Sequence, residues 1–92
     1  MNATVVGLVT PHLLRIVDLA NEAQKGVNVD WHLRDAVART MRELGGQYNA
    51  TALVAAYVDG LENTAAQAAG TRVRFIGVLQ AAVAATRHLR RD

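Results

Sequence analysis

Apolar residues recur three and four positions apart along most of the chain and almost never alternate, so the pattern predicts helices and no sheet. The first helix is expected over 11–25. Thr10 is a suitable N-cap, Pro11 fits the first helical position, Leu13, Ile16, Val17 and Ala20 share a face, and Gly26 closes the segment. The apolar, β-branched stretch from Ala3 to Val9 comes before it. It reads as an N-terminal docking arm, either a short strand or a fraying helical turn.

A second helix is expected over 31–44, capped by Asp30 and ended by Gly45-Gly46. Leu33, Val37, Thr40, Met41 and Leu44 fall within an arc of about 100°. Arg34, Asp35, Arg39, Arg42 and Glu43 take the other side, with Asp35–Arg39 and Arg39–Glu43 at i,i+4 spacing. Trp31 falls outside the apolar stripe and is expected against the Val27–Val29 loop or a partner.

The third and fourth helices are expected over 50–69 and 71–90, with Gly70 as a C-terminal cap between them. Leu53, Val54, Tyr57, Val58 and Leu61 share one face of the third; Phe75, Ile76, Val78, Leu79, Ala82, Val83 and Leu89 make a broad arc on the fourth. The short link favours an antiparallel hairpin, and one continuous helix through Gly70 is the alternative. Both helices carry small residues elsewhere, Ala52, Ala56 and Gly60 on the third and Ala81 and Ala85 on the fourth. Such a face either admits a close-packed second copy or reflects alanine's preference for helix. The expected architecture is all-α: a single domain over 1–92, with an arm at 1–9 and a three- to four-helix bundle at 10–92, paired as a homodimer.

Composition sharpens this picture. Of the 92 residues, 51% are hydrophobic, but seventeen of these are alanines and only four residues are aromatic, so the core has little large apolar area to bury. A chain this short is marginal alone, which also favours self-association. Nine arginines against one lysine, with abundant Ala, Val and Gly, fit a GC-rich genome such as that of an actinobacterium or its phage. The start has no basic residue before its apolar stretch, unlike a secretory signal. The longest uncharged apolar run near the C-terminus, Phe75 to Thr86, falls short of the roughly twenty residues that span a membrane, so a cytoplasmic location is expected. The Asn-Ala-Thr triplets at Asn2 and Asn49 then read as chance or as helix caps.

Candidate chemistry is sparse. Cysteine and serine are absent, which removes disulfides, thiolate ligands and the commonest nucleophiles. No glycine pattern matches a phosphate loop, and no His-x-x-x-His or Glu-x-x-His pair suggests a metal, so no cofactor or metal is expected. His12 has no acid within a helical turn, His32 reads as a first-turn surface residue and His88 as part of a solvated tail. The two helices around Gly45-Gly46 invite a helix-turn-helix reading. However, the chain has no cation between Arg42 and Arg72, so the second helix would bring Asp59 and no cation toward a polyanion. Two arginine clusters remain for anion or nucleic-acid contact: Arg34, Arg39 and Arg42, and Arg87, Arg90 and Arg91. A net charge of +2 is too small to favour that partner. The leading expectation is a non-enzymatic helical interaction and assembly module that self-associates and binds another protein. A small DNA-associated regulatory protein is the alternative.

Overall fold

The computed structural model describes residues 3–89 of the chain, which form four helices: α1 (Ala3–Gln24), α2 (Asp30–Gly45), α3 (Ala50–Gln67) and α4 (Val73–Leu89). Each helix touches the other three. Connections of only a few residues join successive helices. Side-chain bonds fix this arrangement at two levels. Gln24, at the end of α1, accepts the backbone N–H of Phe75 near the start of α4 at 3.0 Å, and Asn21 accepts from Arg72 at 2.7 Å. Further along, His12 of α1 meets α2 near its C-terminal end.

The core follows the predicted stripes closely on α2 and α3. Leu33, Val37, Thr40 and Leu44 are buried, as are Leu53, Val54, Tyr57, Val58 and Leu61; Met41 is half-buried. From α1 come Val9, Ile16, Ala20 and Ala23, and from α4 Phe75, Leu79, Ala82, Val83 and Thr86. Each fully buried Leu or Ile contributes about 1.5–3 kcal/mol over its exposed state. Leu89, placed on the α4 stripe by spacing, is exposed at the last residue of the helix.

The helix ends correct several expectations. α1 begins at Ala3, so residues 3–9 are helical and continuous with it, and Pro11 lies inside the helix instead of opening it. Thr10 does not cap; its hydroxyl donates back to the Val6 carbonyl at 2.7 Å. Gly26 closes α1 as expected. It has φ +100°, with Val27 N–H bonded to Glu22 O and Gly26 N–H to Ala23 O, the paired bonds of a Schellman ending. Asp30 is the first residue of α2, not its side-chain cap; instead Asn28 Oδ1 accepts the Asp30 N–H at 3.0 Å. Asn49 stands at the N-cap position of α3 without a side-chain bond. α3 stops at Gln67, where Ala68 turns extended, so α3 and α4 are separate helices and Gly70 lies in the turn beyond the cap position.

Small residues let α1 and α3 approach closely. A Cβ at Gly60 would fall 2.7 Å from Leu13 Cδ1, too near for any real contact, so only glycine accepts the Leu13 side chain as placed.

Candidate functional site

His12, Thr40, Glu43, Tyr57 and Thr86 bring polar groups from all four helices to one level of the bundle. His12 Nε2 lies 3.0 Å from Glu43 Oε2, and its Nδ1 lies 2.9 Å from Thr40 Oγ1. A carboxylate can only accept, so Nε2 carries the hydrogen. In the neutral ring Nδ1 is then the acceptor, and the Thr40 hydroxyl donates to it. Thr86 in turn donates to Ala82 O at 2.8 Å. The Tyr57 hydroxyl, beside both threonines, is buried without a hydrogen-bond partner among the described residues. Burial, offset only in part by the neighbouring Thr40 and Thr86 hydroxyls, pushes the Tyr57 phenol up to about 12.

A hydroxyl, an imidazole and a carboxylate in line are the components of an activated nucleophile. Access separates this cluster from such a site. Thr40 is 2% exposed, so its oxygen is out of a substrate's reach, and the only open member is Glu43. What the arrangement does is hold α1 to α2 through a half-buried ring that is bonded on both sides. Sequence reasoning missed it because Thr40 lies 28 positions from His12 and sits on an apolar stripe, where it reads as core. No local spacing carries such a pairing.

The sequence-derived candidates are scattered. Gly60 faces Leu13, while Ala56 and Ala85 are half-buried against the core. Ala52 is exposed on α3, and Ala81 lines a cleft beside the loop between α1 and α2, together with Gly26, Val27, Asp30 and Arg74. The arginines divide as well. Arg39 pairs with Asp35 at 3.3 Å, and the expected Arg39–Glu43 pair gives way to Glu43–His12. Arg87 reaches Glu62 of α3 at 3.2 Å. Arg34 and Arg42 are exposed, and Arg90 and Arg91 lie outside the described residues. His32 and His88 are exposed as expected. Trp31 does not pack on the preceding loop: it is 71% exposed, with its ring edge against His32.

The open apolar surface lies elsewhere, in a groove of about 410 Å³ between α3 and α4. Leu61, Ala65, Ile76, Leu79 and Val83 line it, with Ala66 and Ala84 exposed along it and Glu62, Gln80 and Arg87 at its rim. None of Ala52, Ala56, Gly60, Ala81 and Ala85 is among its lining. Spacing could not find it, because the same residues that floor the groove also serve the core. Among the described residues, no helix is long and apolar enough to cross a membrane. Comparison of the chain with family models, curated proteins and solved structures returns no match.

Proposed function

We propose that this protein is a non-enzymatic helical interaction and assembly module of the cytoplasm, acting by self-association and by binding another protein. The supporting observation is the apolar groove between α3 and α4, which the bundle's own helices leave open. Its occupant in this reading is a second copy of the chain. Two lines of support favour that choice. The rim carries an acid on one helix and a base on the other, Glu62 and Arg87, bonded to each other at 3.2 Å, so a second copy can cover the groove without leaving either charge unpaired. The face is also of suitable size. Helices of 18 and 17 residues, each about 10 Å across, present a patch on the order of 500 Å² before its roughness is counted. A standard interface takes about 800 Å² per partner, so modest affinity, in the micromolar range, is expected.

Light scattering between about 1 and 100 µM tests this directly, because such an affinity makes the mass rise across that range. Ala84→Arg places a charge on the open groove without touching the core, and is expected to hold the protein at monomer mass with its helix content unchanged. A wild-type protein that stays monomeric throughout overturns the reading. The DNA-associated alternative draws less support, since Arg39 and Arg87 already have carboxylate partners.

A further inference from the structure

α1 is continuous, but its hydrogen-bond ladder has one gap that its length conceals. Pro11 sits in the helix interior, where it has no N–H to give the Gly7 carbonyl, and its ring crowds the preceding turn. Three neighbouring features suit the chain to this. Gly7 is exposed, with open space where a Cβ would be, so water reaches the backbone there. Thr10, in the position that proline disfavours for helix, is held by its hydroxyl bond to Val6 O. Immediately past the gap, His12 is fixed to α2 by Glu43 and Thr40.

Packing differs sharply across the gap. On the N-terminal side Val6, Gly7 and Leu8 are exposed and Val5 is half-buried, leaving Val9 as the single buried anchor among residues 5–10. On the other side Ile16 and Ala20 are fully buried. Among residues 5–10, detachment therefore uncovers little beyond Val9 and part of Val5, while everything after His12 stays in place. We propose that residues 3–10 form a hinged arm that opens at the Gly7–Pro11 gap as a unit, while the rest of the bundle remains folded. In the closed state the arm covers the end of the core beneath Val9; in the open state it bares that end together with its own Val5 and Val9. This device does not depend on self-association through α3 and α4.

Amide hydrogen exchange on the intact protein reads it residue by residue. The amides of Gly7 to Thr10, which are bonded within the arm, are expected to exchange at least about a hundredfold faster than those of Ile16 to Ala20. Pro11→Ala restores the missing bond and is expected to slow the arm amides about tenfold or more while leaving Ile16 to Ala20 unchanged. A hinge opens the amides of Gly7 to Thr10 together, whereas ordinary fraying of a helix end grades their rates inward from the terminus, so near-equal protection across the four amides separates the two. Arm amides as protected as those of Ile16 to Ala20, or arm rates indifferent to Pro11→Ala, overturn the proposal.

Discussion

His12 of α1 and Thr40 of α2 are joined by a 2.9 Å bond between Nδ1 and the hydroxyl, and the same ring holds Glu43 through Nε2. One side chain thus links a buried hydroxyl to an exposed carboxylate. The exposed end contributes little by itself, because Glu43 is open to solvent and surface pairs are worth at most about 1 kcal/mol. The buried end matters more, since an unsatisfied ring nitrogen there has limited access to water.

Thr40→Val tests that end. Valine keeps the shape of threonine and removes only the hydroxyl, so the core stays filled while Nδ1 loses its donor. A loss of about 1–2 kcal/mol in urea unfolding is expected. An unchanged midpoint would mean that water replaces the threonine and that the bond contributes nothing net.

The neighbouring Tyr57 gives the opposite expectation. Its hydroxyl is buried with no partner among the described residues, so Tyr57→Phe removes a desolvated polar group and is expected to leave stability unchanged or raise it by up to about 1 kcal/mol at neutral pH. The alkaline range adds a second readout. The phenol rises from 10.0 in its ordinary state to about 12 in the fold, so the folded protein holds its proton more tightly than the unfolded chain does. That contribution is fully present below pH 10 and is lost as pH climbs toward 12, about 2–3 kcal/mol in total. Urea midpoints measured across this window should fall steeply for wild type and less steeply for Tyr57→Phe. Parallel curves for the two proteins would refute the assignment.

What the sequence made legible follows from what is local. The stripe from Leu53 to Leu61 and the glycine ending at Gly26 depend on residues a few positions apart, and both are found as expected. Helix starts are harder to place where two signals compete. Thr10-Pro11 is a sound opening in isolation, yet the apolar run before it has its own helical packing through Val9, which extends α1 back to Ala3. Asp30 reads as a cap, but it is the first helical residue; the N-cap position falls to Val29, and Asn28 accepts the Asp30 N–H from one residue further out. The polar cluster was illegible for a different reason. It requires the relative rotation of all four helices, and a threonine on an apolar stripe gives no sign of which neighbour it will meet.

Gly26→Ala probes the ending of α1. At φ +100° a Cβ meets its own backbone, although the surrounding space is open apart from Arg74 at 3.6 Å. The expected cost is about 1–2 kcal/mol, set by backbone conformation and not by packing. Gly45→Ala is the control, because Gly45 is helical with nothing near its missing Cβ; there alanine is expected to stabilise by up to about 1 kcal/mol. If both substitutions move the melting temperature in the same direction, the left-handed ending is not what Gly26 supplies.

Gly60 separates packing within one chain from pairing between chains. Its missing Cβ makes room for Leu13, so the need for a small residue there is met inside the bundle. Gly60→Ala combines a gain in helix preference of about 1 kcal/mol with a contact that the flexible end of Leu13 can relieve, and the two are expected nearly to cancel. Gly60→Val leaves no such escape: the larger, stiff side chain forces α1 and α3 apart, at an expected cost of about 2–3 kcal/mol. The groove between α3 and α4 lies away from this contact, and its lining includes neither Gly60 nor Leu13. Gly60→Val should therefore lower the unfolding midpoint while the folded fraction keeps its wild-type association in light scattering, whereas Ala84→Arg should do the reverse. Loss of association in Gly60→Val at temperatures where it remains folded would move the pairing surface from the groove back to the small-residue face of α3.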